Sequence, residues 1–134
     1  MKSKLSVIIL MISAVALVSS TSFRAHQEPW VAPDAAAKKA NPVKSDAESL
    51  ATGKSLWTKH CQSCHGKKGL GDGSKAATLK THPGDFSKAD FKSQSDGAIF
   101  YKTSEGRKDM PSFKKKIPDA DDIWSVVNYI RSLK

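Results

Sequence analysis

Cys61-Gln62-Ser63-Cys64-His65 sets the chemistry available to this chain. Two thiols three positions apart, with an imidazole directly after the second, can bond both vinyl groups of a haem and reach its iron. One short turn can hold both thioethers on one porphyrin edge while His65 sits under the metal. Cys61 and Cys64 are therefore the candidate attachment residues, and His65 is the candidate proximal ligand to the iron of a haem c. On this basis a haem forms half of the hydrophobic core.

The composition narrows the competing chemistries. The chain has only two cysteines, both inside the motif. A disulfide between them, in a secreted binding domain without haem, is one alternative. Zinc requires four ligands, and no second Cys-x-x-Cys or His-x-x-x-His pair completes a tetrahedron. A thioredoxin-like redox motif calls for alternating strands and helices, which the pattern lacks. The chain has 134 residues, room for one domain and a leader, and carries 22 Lys and Arg against 13 Asp and Glu. That excess favours anionic partners. Nucleic acid is not among those expected, because no binding motif is present and the lysines are not interleaved with aromatics.

Upstream of the motif the chain changes character twice. Met1-Lys-Ser-Lys leads into an apolar run from Leu5 to Val18, the n-region and h-region of a secretory signal peptide. The run is shorter than the roughly 20 residues of a spanning helix. Residues 1–22 are therefore expected to be a signal peptide, with an uncleaved anchor as the alternative, and the protein to be exported to the periplasm or the outer face of the cytoplasmic membrane. Residues 23–45 are rich in Ala, Pro and Lys, including Pro29, Pro33 and Pro42, and read as a flexible tether. The folded domain is expected over 46–134.

Helix signals bracket the motif. Ser45 or Asp46 can cap a helix over 47–60, with Glu48 in its first turn and Leu50, Gly53, Leu56 and Trp57 on one face. Gly53 costs on the order of 1 kcal/mol relative to Ala there, which suggests a second backbone passing close by. After the motif, residues 66–73 hold four glycines in eight positions and lack the Walker spacing, so they read as a loop bending against the haem edge. One or two turns are expected over 74–80, and Phe86 and Phe91 are candidate pocket or core residues. A short helix from Asp96 should end before Gly106, capped by Ser93 or Ser95. The last helix, from Asp119 or so to the end, carries an apolar stripe of Ile123, Trp124, Val127, Ile130 and Leu133 with Val126 and Tyr129 beside it.

A second iron ligand should lie beyond His65, where Met110 and His82 are the candidates; His60 is expected to point outward. Met110 stands in Asp109-Met110-Pro111, between two helices and far enough along to wrap the chain over the second haem face. Met110 is therefore the candidate distal ligand.

With these residues in place, residues 47–134 resemble the class I c-type cytochromes. The resemblance rests on Cys61-Gln62-Ser63-Cys64-His65, Asp109-Met110-Pro111, Gly53 and Trp57 in the first helix, and Val126 and Tyr129 in the last. It implies an all-α cytochrome c fold, three to four helices and glycine-rich loops around one covalently bound haem, with the terminal helices crossing at those positions. In that family a proline carbonyl orients the proximal histidine. Pro83 is the only proline between His65 and the distal loop, although the usual Gly-Pro-x-Leu form is absent. Trp57 and Trp124 are expected to pack, with a propionate contact as the second use of either.

The expected function is carriage of single electrons between respiratory redox partners, as a soluble shuttle or a haem subunit of a larger complex, without a catalytic residue. The alternative is a haem enzyme, or a gas or peroxide sensor, in which Met110 is displaceable. The partners would be acidic redox proteins such as a quinol-oxidising complex or dehydrogenase and a terminal oxidase. Membrane association would come through the N-terminus or a complex. Lys67, Lys68 and Lys114 to Lys116 flank the two ligand loops and could steer an acidic partner to the haem edge; the bland alternative is a solvated face.

Overall fold

The computed structural model describes residues 29–133. Its helices are α1 (Asp34–Ala37), α2 (Ala47–His60), α3 (Gln62–His65), α4 (Ala89–Lys92), α5 (Asp96–Glu105) and α6 (Ala120–Ser132), with a 3-10 turn at Ala76–Thr78. The expected leader, residues 1–22, and the first residues of the expected tether lie outside the described residues. No helix among the described residues is long and apolar enough to cross a membrane.

Three longer helices carry the fold, and each starts where a side chain can satisfy its free amides. Asp46 accepts the Ser49 amide at 3.0 Å while the Ser49 hydroxyl accepts the Asp46 amide at 3.1 Å, a capping box that fixes the start of α2. Hydrogen bonds from Ser49 hold the Asp46 carboxyl below its ordinary range. Ser95 caps α5 by accepting the Ala98 amide at 3.2 Å, and Asp119 caps α6 by accepting the Asp121 amide at 2.9 Å.

Helices α2 and α6 make the most extensive contact between elements, and their crossing builds the core. Trp57 of α2 packs with Val126, Val127 and Ile130 of α6 and Ile99 of α5. The apolar face of α6 is wider than the stripe expected from sequence: Val126 is fully buried, and Ser125 and Asn128 are buried too. The reason is that α6 is covered from three sides, by α2, by α5 and by the segment that precedes α2.

That segment differs from its expectation. Instead of forming a flexible tether, residues 31–45 fold back as a strap within the same compact unit as the domain. Ala32 is buried, and Val43 packs on the core. Asn128 draws the strap in: its amide donates to the Val43 carbonyl at 3.1 Å, and its carbonyl oxygen accepts from Asn41 at 2.8 Å. The Ser95 hydroxyl donates to the Ala37 carbonyl at 2.6 Å. At Gly97 the strap comes so close that a Cβ would lie 2.3 Å from the Ala36 carbonyl oxygen and 2.7 Å from that of Lys39. Gly97→Val should therefore expel the strap while leaving the helical core formed. Limited trypsin digestion should then cut at the exposed Lys38 and Lys39 about tenfold faster, with far-UV dichroism retained; equal digestion rates would mean that the strap is not held at this point.

Candidate functional site

α2 runs into the motif almost without interruption. The Cys61 amide still donates to the Trp57 carbonyl at 2.8 Å, and α3 then makes one turn that presents Cys64 and His65. Both cysteines are free thiols. Cys61 is buried in the core beside Trp57, and burial, followed by the neighbouring Cys64, pushes its thiol up to about 12. The glycine-rich loop turns back onto the motif rather than away from it. Amides of Gly71, Gly73 and Lys75 donate to the carbonyls of His65, Cys64 and Ser63 at 2.9, 3.2 and 2.8 Å. Positive φ at Gly66, Gly69 and Gly71 permits that reversal.

His65 is enclosed by aromatic rings. Phe86 lies 4.9 Å from it and Trp57 5.7 Å, centroid to centroid, and Phe91 stacks on Phe86 at 3.9 Å. Burial lowers the imidazole to about 4, opposed by the Pro83 carbonyl and assisted by the nearby His82. A neutral ring with a lone pair is what a metal requires. Nδ1 of His65 is buried without a partner in good hydrogen-bond geometry. The Pro83 carbonyl lies near the ring but makes no well-formed hydrogen bond to Nδ1. Trp57 Nε1 is likewise buried without a partner, whereas Trp124 is stacked on Phe100 at 4.1 Å.

His82 belongs to this same side. Its Nδ1 accepts the Gly84 amide at 3.0 Å, and a Cβ on Gly71 would meet its ring at 2.6 Å. His60, expected to point outward, is half-buried against the Phe113 ring at 6.0 Å; burial first, then Lys59 and Lys116, lowers its pKa.

Met110 sits on a separate loop, between α5 and α6. The loop is closed at its stem, where the Ser104 carbonyl accepts the Phe113 amide at 3.1 Å and the Ser112 hydroxyl at 2.7 Å. Arg107 and Met110 exchange two backbone hydrogen bonds, at 2.8 and 3.0 Å. Met110 is half-buried on a second cluster, Phe113, Ile117 and Ile123, which Leu56 of α2 also touches. So the distal loop packs on α2 one turn before Cys61, through Leu56 and His60. Around it Lys115 and Lys116 are exposed, as are Lys67 and Lys68 beside the motif, but Lys114 is paired with Glu105 at 2.5 Å.

Among the described residues no three His, Cys, Asp or Glu side chains converge to hold a metal. A porphyrin brings four ring nitrogens of its own and needs only axial ligands. Two unpaired thiols, a half-buried neutral imidazole and a half-buried thioether on a second loop are the donor set that a covalently bound haem requires. Residues 48–130 match the family described as cytochrome c oxidase, cbb3-type, subunit III.

The chain belongs to this family.

It is a monohaem class I c-type cytochrome domain, and with it come a covalently bound haem c and electron transfer as its chemistry. Among solved structures it is similar to a chain of the Kuenenia stuttgartiensis reducing HAO-like protein complex. That likeness has 27% sequence identity and a TM-score of 0.63 over 81% of this cytochrome and 52% of that chain. The cytochrome thus spans about half the length of its structural neighbour. No curated protein matched it.

Proposed function

We propose that this cytochrome is an exported, non-enzymatic carrier of single electrons, acting as a shuttle or as a haem subunit of a larger redox complex. Cys61 and Cys64 form the thioethers, His65 is the proximal ligand and Met110 the distal one. Haem c supplies a one-electron ferric/ferrous couple when bound. The chain's own contribution is to hold and to seal. Trp57, Phe86 and Phe91 keep water from His65, the Pro83 carbonyl sets the ring's orientation, and the hydrogen-bonded stem at Ser104 holds Met110 against α2. A thioether donor favours the reduced metal and raises the potential relative to a second histidine. Were His65 and Met110 both to hold the iron, no open site would remain for dioxygen or peroxide. The observation that carries this reading is the packing of the Met110 loop onto α2 through Leu56 and the His60–Phe113 contact. Membership of a complex is suggested by the structural neighbour, itself part of one.

Acidic redox proteins, such as a quinol-oxidising complex or dehydrogenase and a terminal oxidase, fit the exposed Lys67, Lys68, Lys115 and Lys116. Anionic reagents should share that preference. Oxidation of the ferrous protein by ferricyanide in a stopped-flow instrument should slow about fivefold as ionic strength rises from about 0.01 M to about 0.1 M, across which the Debye length contracts from roughly 30 to roughly 10 Å. Lys67→Glu/Lys68→Glu should flatten the dependence. A flat response in the unmodified protein would remove electrostatic steering from the proposal.

A further inference from the structure

The distal loop carries more constraint than its stem provides. Its tip is the tight turn from Arg107 to Met110, and within it Lys108 has φ +54, the only positive φ at a non-glycine position among the described residues. A lysine is disfavoured there, because its Cβ crowds the following carbonyl oxygen. Such a turn relaxes unless something outside it holds it. One of the turn's own side chains reaches a different loop. Asp109, next to Met110, accepts the backbone N–H of Thr81 through Oδ2 at 2.8 Å, across 28 residues of sequence. Thr81 directly precedes His82-Pro83-Gly84, the loop whose proline carbonyl faces His65. One carboxylate therefore joins the loop that presents the distal donor to the loop that addresses the proximal one.

We propose that Asp109 is a positioning residue for Met110: its hydrogen bond to the Thr81 amide clamps the Arg107–Met110 turn to the Thr81–Gly84 loop and so holds the thioether in place. This rests on the assignment of Met110 as the distal ligand. The interaction needs an acceptor oxygen and not a charge, since the donor is a neutral amide. Asn at this position keeps the acceptor and Ala removes it, and the two substitutions separate the clamp from any general effect of removing an acid.

The test is competition for the distal position in the oxidised holoprotein. Exogenous imidazole is titrated against Asp109→Ala, Asp109→Asn and the unmodified protein, with the far-red thioether-to-iron absorption followed in parallel with urea unfolding. Asp109→Ala should bind imidazole about tenfold more tightly, the size expected for losing one ordinary hydrogen bond. Asp109→Asn should stay within about twofold of the unmodified protein, and all three should unfold in urea in one cooperative step, with Asp109→Ala only slightly earlier. The proposal is overturned if Asp109→Ala binds imidazole like the unmodified protein, or if Asp109→Asn behaves like Asp109→Ala. Absence of the far-red absorption from the unmodified protein would instead remove the assignment of Met110, and the clamp with it.

Discussion

Gly53→Val is expected to cost the holoprotein about 3 kcal/mol of stability. A Cβ built on Gly53 would lie 2.1 Å from the Ser125 carbonyl oxygen and 2.8 Å from Tyr129 Cβ. The first obstacle is helix backbone, so relief requires α6 itself to move. α6 cannot move cheaply, because Val126 and Val127 are fully buried on it and Asn128 is bonded to the strap. Gly53→Ala tests the sign more sharply. Helix propensity alone makes it stabilising by about 1 kcal/mol, while the crossing makes it destabilising by about 2 kcal/mol. Gly84→Ala is the control: nothing lies within 4 Å of its Cβ, φ is +86, and only the backbone cost of about 1 kcal/mol should appear. Urea unfolding of the three variants decides it, and a stabilised Gly53→Ala would mean that the helices do not meet at this point.

Met110→Ala should change the haem spectrum and potential far more than it changes the fold. The oxidised protein is expected to lose its far-red thioether-to-iron band. The midpoint potential should fall by on the order of 0.2 V, a modest part of the roughly 0.8 V range that axial ligation spans. The reduced protein should gain carbon monoxide binding, because the distal position is then open. Stability should fall by only about 1–2 kcal/mol, since Met110 is half-buried and its loop is held by backbone bonds that alanine keeps. If spectrum, potential and carbon monoxide response all stay put, Met110 is a gap-filler against Phe113 and Ile117, and the distal position belongs to another residue.

The parts of this fold that could be read directly were those governed by near neighbours. The sequence offered Ser45 or Asp46, Ser93 or Ser95, and Asp119 as caps; Asp46, Ser95 and Asp119 serve, and the observed ranges Ala47–His60, Asp96–Glu105 and Ala120–Ser132 begin at them. The close approach expected at Gly53 is present, against Ser125 and Tyr129. Short α1 and α4 were not legible, because a single turn has no periodicity. The strap was misjudged for a different reason. Its prolines and alanines describe a chain that cannot form a long helix, and say nothing about whether a distant Asn128 will bind its carbonyls. At the site, the motif and Met110 stand out by residue type, and Pro83 by its position. Asp109 carried no signal at all, since its partner is a backbone amide that every residue but proline possesses.

The helix crossing also fixes a sequence of events. Gly53 meets Ser125 and Tyr129, so the two ends of the domain must find each other before the pocket around Trp57 and Cys61 can close. Contacts so far apart along the chain carry a loop-closure cost that local turns and caps do not. A chain emerging N-terminus first presents its two thiols well before it has the helix that will cover them. Because Cys61 lies in the core cluster that the last helix completes, its thiol is reachable only in a chain whose last helix has not yet docked.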